Sequence, residues 1–101
     1  MIVYNITVKV ENEISAEWVQ WQLTEHIPEI MATGLFTNHQ FFKLLDQDSE
    51  DGVTYVSQYF TNSRNNYDAY IKNFSGELRN KAINKWGNRF IAFRTLMQSV
   101  Q

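Results

Sequence analysis

His26 stands in the run Trp18-Val19-Gln20-Trp21-Gln22-Leu23-Thr24-Glu25-His26-Ile27-Pro28. An imidazole has an unperturbed pKa of about 6.5, so it can act near neutrality as general base, general acid or hydrogen-bond donor to a carbonyl. The sequence offers two kinds of support for such chemistry. Trp18 and Trp21 are three residues apart and present flat aromatic surface on one helix face, as do Tyr67 and Tyr70 later in the chain. Asn5 and Gln58 carry amides able to orient a carbonyl. Such a set would suit proton transfer by His26 on a small, flat, apolar molecule held between aromatic walls. Each residue also has a structural use. Pro28 has no N–H, which frees a backbone carbonyl to which His26 could bond instead. Large aromatics away from a helix's apolar stripe serve interfaces more often than ligands, and that is the role expected of Trp18 and Trp21.

Other chemistries lack the residues they need. There is no Cys, hence no thiolate nucleophile, disulfide or zinc-thiolate site. His26 and His39 fall on different elements without metal-ligand spacing, and four scattered glycines make no phosphate-cradling loop. Asp46, Asp48 and Glu50 imitate the start of a calcium loop. Gly52 and Ser57 then fall out of register with the glycine and the closing glutamate such a loop requires. The expectation is no metal and no cofactor, with a solvated hairpin tip at Asp46–Gly52.

The elements that must position these residues read as β-α-β-β-α-β. Residues 2–10 alternate, with Ile2, Tyr4, Ile6, Val8 and Val10 on one face and Val3, Asn5, Thr7 and Lys9 on the other. Ser15 is the expected N-cap of the first helix. On that helix Val19, Leu23, Ile27 and Ile30 form the predicted core stripe, His26 lies at its edge, and Pro28 kinks or restarts the helix. Phe36–Leu45 and Val53–Phe60 read as strands. Asn62-Ser63 caps a second helix whose apolar positions include Tyr67, Tyr70, Ile71, Phe74, Leu78 and Ala82, with a break expected near Ser75-Gly76. Trp86-Gly87-Asn88 ends it, and Phe90–Met97 is the last strand. Parity alone leaves open which sheet face Gln58 and Arg94 occupy.

A chain of 101 residues is one domain, here residues 1–101. Its small core makes dimerisation an economical way to cover a sheet face, and 15% aromatic content suits interfaces and pockets. Residues 1–63 hold two lysines against nine acids, a net −7; residues 64–101 hold seven bases against two acids, a net +5. An acidic first helix beside a basic second helix, or meeting it across a dimer, accounts for this asymmetry. An overall charge of −2 argues against nucleic acid. No signal peptide or membrane span is expected, and the absence of Cys fits a cytoplasmic setting.

Met1-Ile-Val-Tyr-Asn5, Trp18 and Trp21 with His26-Ile27-Pro28, Ala32-Thr33-Gly34, and Arg89-Phe-Ile-Ala-Phe-Arg94-Thr95 together carry a resemblance over the whole chain. The sequence resembles an uncharacterised family of bacterial proteins of about this length, within the dimeric α/β-barrel superfamily. The resemblance implies a ferredoxin-like α+β fold with a four-stranded antiparallel sheet. It also implies a homodimer formed through the sheet face, with a cleft between helices and sheet in each protomer. It implies no established activity. The superfamily includes cofactor-free monooxygenases, isomerases and haem-degrading enzymes, but no His lies on the second helix to ligate haem. The expected function is therefore a small-molecule-binding or interaction module with a small apolar ligand. The alternative is a cofactor-independent monooxygenase or isomerase.

Overall fold

A computed structural model describes residues 1–48 and 50–101. In chain order the elements are β1 (Ile2–Val10), a 3₁₀ turn (Asn12–Ile14), α1 (Ser15–Trp21), a π turn (Gln22–His26) and α2 (Ile27–Ala32). There follow β2 (Asn38–Lys43), β3 (Val53–Thr61), α3 (Arg64–Asn73), α4 (Ser75–Trp86) and β4 (Phe90–Gln98). The strands form one antiparallel sheet in the order β2-β3-β1-β4. This is the ferredoxin-like α+β arrangement expected from the order of elements.

The alternation of β1 determines which sheet face is covered. Tyr4, Val8 and Val10 are buried beneath the helices, and the register carries that face across the sheet. Tyr4 lies between Tyr59 and Leu96, Ile6 between Ser57 and Arg94, and Val8 between Tyr55 and Ala92. The core has two lobes. One gathers Tyr4, Ile27, Ile30, Phe36, Tyr59, Tyr70 and Leu78; the other gathers Val8, Val10, Ile14, Trp18, Trp21 and Trp86.

The first helix departs from its expected face. Trp18 and Trp21 are core, at 2% and 7% exposure, whereas Leu23 is 51% exposed. The π turn is the cause. Its wider i→i+5 bonding accommodates one extra residue and shifts the phase of everything after it. The buried series therefore runs Ile14, Trp18, Trp21 with Gln22, then Ile27 and Ile30. A regular helix would have carried Leu23 inward, and the predicted stripe assumed one. Pro28 lies at the second position of α2, where its missing N–H costs little.

Other boundaries moved less. Ser15 is the first residue of α1 and not its cap; its hydroxyl bonds back to the Asn12 carbonyl at 3.2 Å. β2 is shorter than its apolar run, because Phe36 turns into the core ahead of the strand and Leu44 and Leu45 follow it exposed. Of the expected Asn62-Ser63 cap, it is Ser63 that caps α3, its Oγ accepting from the Asn66 N–H at 3.1 Å. Phe74 breaks the second helical run next to the predicted position. Gly52 passes so close to β1 that a Cβ there would collide with the Val10 carbonyl oxygen. The Asp46–Gly52 loop includes Ser49, which lies outside the described residues.

Charge also binds the helices together. Lys81 of α4 donates to Glu29 of α2 at 2.8 Å, and Arg89 donates to Glu11 at 2.8 Å with Glu13 nearby at 3.7 Å. The acidic first helix does lie beside the basic second. Among the described residues no helix is long and apolar enough to cross a membrane.

Candidate functional site

The seam between the two core lobes is imperfectly filled. A cavity of about 40 Å³ lies there between the helices and the sheet, lined by Ile6, Val8, Trp18, Ala82, Phe90 and Ala92 on its apolar side. Its polar lining is Gln22, His26, Ser57, Tyr59 and Arg94. Each arrives by a distinct local rule. The π turn carries Gln22 and His26 inward, and strand alternation places Ser57, Tyr59 and Arg94 on the covered face. About 10–15 Å³ of such space admits one water, so the cavity matches a group of about three heavy atoms.

His26 is held by its ring faces more than by hydrogen bonds. Its imidazole stacks on Trp21, with centroids 4.6 Å apart and planes at 21°, and Trp86 meets Trp21 edge-on at 5.9 Å. His26 Nδ1 is buried and has no hydrogen-bond partner among the described residues. The backbone-carbonyl bond anticipated beside Pro28 is therefore not made by Nδ1. A buried polar atom left unpaired costs about 1–3 kcal/mol, so natural folds seldom keep one without a use.

Burial governs the charge of this ring. Desolvation lowers the His26 pKa from 6.5 to about 4. Glu29 opposes the shift, while Arg94 and Lys81 reinforce it. At neutral pH the ring is uncharged, with one nitrogen donating and one accepting. Glu29 is already engaged by Lys81, whose pKa that hydrogen bond raises. Arg94 has no carboxylate within ion-pair distance among the described residues. Arg94, an exposed residue, thus acts on His26 without a protein anion of its own.

The residues singled out in the sequence separate into three places. Trp18 and His26 line the cavity, and Trp21 stacks on the His26 ring without reaching it. Tyr67 and Tyr70 instead surround Tyr4 at centroid distances of 5.4 and 5.9 Å, beside an Arg79 Nη2 that donates to the Tyr4 hydroxyl at 3.0 Å. Burial raises the Tyr70 pKa well above the usual tyrosine range, so its phenol stays protonated. Asn5 and Gln58 lie on the opposite sheet face, where the Gln58 amide donates to Asn5 Oδ1 at 3.1 Å. The sheet stands between these two amides and His26.

Sequence reasoning passed over Gln22, Ser57 and Tyr59 and left Arg94 without a face. Ser57 carried a readable signal, since it is a hydroxyl at the parity of Tyr55 and Tyr59 on a buried row. Arg94 shows its place only once the β1–β4 register sets it opposite Ile6.

The open face has its own pattern. Thr95, Asn5, Gln58 and Gln40 form a polar row across all four strands. On the same face Ile91, Phe93, Phe42 and Met97 are exposed, Phe93 at 66%. Among the described residues no three His, Asp or Glu side chains cluster as a metal site would.

Comparison with known proteins places the fold. A dimeric ferredoxin-like protein from an uncultured marine organism is similar at TM-score 0.70 and 16% identity, covering all of this chain and 96% of its own. An EthD family protein from Bacillus halodurans C-125 gives 0.69 and 10%, covering 99% of this chain and 100% of its own. A cofactor-independent oxygenase from Streptomyces nogalater gives 0.64 and 10%, covering 99% and 94%. Identities this low establish the shared fold alone. No curated protein matches the chain. One family model does, over residues 1–100, and it describes a domain of unknown function.

Proposed function

Since the chain belongs to the DUF4286 family, for which no activity is described, we propose from the site itself that it is a homodimeric small-molecule-binding module. The ligand enters the His26 cavity between helices and sheet. The observation that carries this reading is the buried, unpartnered Nδ1 of His26 on the wall of a cavity with convergent polar groups. Trp18 supplies an apolar wall, and Trp21 holds the ring from behind. The other predicted pocket residues take support roles: Tyr67 and Tyr70 pack against Tyr4, and Asn5 and Gln58 serve the opposite face. At about 40 Å³ the cavity holds only a compact group, so any larger ligand extends outward or shifts the lining side chains.

The partner is a second copy of the chain, seated on the open sheet face. Exposed Ile91, Phe93, Phe42 and Met97 supply the apolar area for it, and two solved neighbours are described as dimeric ferredoxin-like proteins. The polar row centred on Asn5 and Gln58 would then meet its own copy. A cytoplasmic setting belongs to this reading, and the absence of Cys is compatible with it.

The test is amide NMR of the uniformly labelled protein during a screen of small fragments. Binders should perturb the amides of Gln22, His26, Ser57, Tyr59 and Arg94 together. Perturbations confined to other surfaces, or none from any fragment, would overturn the reading.

Proton-transfer catalysis, as in a cofactor-independent monooxygenase or isomerase on a small flat apolar substrate, is the second reading. The imidazole on the cavity wall favours it. A pKa of about 4 makes His26 a weak general base at neutral pH. The ring is therefore better suited to hydrogen-bond a ligand than to remove its proton, and binding is placed first.

A further inference from the structure

We propose that the His26 cavity takes the carboxylate of an organic acid, with Arg94 supplying the matching charge and Ser57 and His26 the polar walls. This rests on the binding reading above and adds the chemical class of the ligand. Three observations lead to it. The first is charge: of the groups that act on His26, Glu29 and Lys81 neutralise each other at 2.8 Å, leaving the Arg94 guanidinium without an anion among the described residues. The second is size: about 40 Å³ admits the three heavy atoms of a carboxylate and little else.

The third is donor chemistry. Arg94 and Ser57 share one row of the covered face, on either side of Ile6, and both line the cavity. Guanidinium presents a planar fork of N–H donors to a carboxylate, and a serine hydroxyl can add another. Neutral imidazole donates from one nitrogen and is free to choose its tautomer, because no protein acceptor fixes Nδ1. Nothing charged opposes an incoming anion except Glu29, which Lys81 already engages. The apolar remainder of the acid would extend outward from the cavity past Phe90 and Ala92 on its wall.

The experiment follows the ring nitrogens of His26 by ¹⁵N NMR at neutral pH, adding sodium acetate against sodium chloride at matched ionic strength. Acetamide is the control, having nearly the same shape without charge. Acetate should shift the His26 nitrogens saturably and acetamide should not. Arg94→Gln should weaken the acetate response at least about tenfold, with Arg94→Lys retaining part of it. Equal responses to acetate and acetamide would overturn the anion class while leaving the cavity a binding site. An acetate response unchanged in Arg94→Gln would overturn the role of Arg94. Silence toward acetate, with fragments still perturbing the cavity amides, would overturn the carboxylate alone; silence toward every probe would remove the binding reading with it.

Discussion

His26 lies over Trp21, five residues earlier, with ring centroids 4.6 Å apart and planes 21° apart. In a regular α-helix five residues advance about 500°, leaving the two side chains some 140° apart around the axis. Only the π turn between α1 and α2 lets them stack. The same turn lets Ile27 and Ile30 share the core with Trp18 and Trp21 while Leu23 stays outside. The helix irregularity and the candidate site are one feature.

That geometry separates two substitutions which the sequence would rank the other way. Trp18→Ala removes a side chain that is 2% exposed and should cost about 3–5 kcal/mol. Leu23→Ala touches a side chain that is 51% exposed and should cost no more than about 0.5 kcal/mol. Urea unfolding of the two variants checks the order. A Leu23→Ala cost equal to that of Trp18→Ala would mean the helix has no extra residue in its turn.

Stability should depend on His26 through pH. The folded-state pKa is lowered to about 4 from 6.5, so between those values the unfolded chain binds the proton and the folded one does not. The stability from keeping the ring neutral is therefore fully present above about pH 6.5. It is lost as pH falls toward 4, a change of about 3 kcal/mol. Denaturant unfolding across that window, in buffer without carboxylates, should show the loss in the parent protein and a flatter profile in His26→Gln. Identical profiles would show that His26 is not held neutral.

The contact between α4 and β1 should be strongly coupled. Arg79 Nη2 donates to the Tyr4 hydroxyl at 3.0 Å, and the buried Arg79 Nε has no partner among the described residues. Tyr4→Phe leaves the guanidinium short of an acceptor and should destabilise by about 1–3 kcal/mol. In Arg79→Met the same change should cost markedly less. A double-mutant cycle measures the difference, and additivity would show that the bond contributes nothing.

Association through the open face is tested at Phe93, which is 66% exposed on a strand beside Ile91. Light scattering on the parent protein at micromolar concentration should give twice the chain mass of 11.9 kDa, and Phe93→Asp should return it to the single-chain value. A parent protein of single-chain mass would remove the homodimer.

The sequence made the strands legible because their period of two needs no knowledge of neighbours. Tyr4, Val8 and Val10 declared a buried face, and the break beside Ser75 was readable from Gly76. The helix face was not legible, since one added residue in the π turn leaves no mark in composition and rotates all that follows. Nor was the grouping of site residues. Asn5 and Gln58 share a register pair but lie across the sheet from His26, and Arg94 gains its place only through pairing with β1.

The most direct measurement is a crystal structure of the protein as purified, at a resolution that shows ordered solvent and small ligands. The account predicts a bound small molecule in the seam between the two core lobes, with a polar atom in hydrogen-bond reach of His26 Nδ1 and another facing Arg94. Finding His26 Nδ1 bonded to a main-chain carbonyl, with the seam closed by its own side chains, would contradict it.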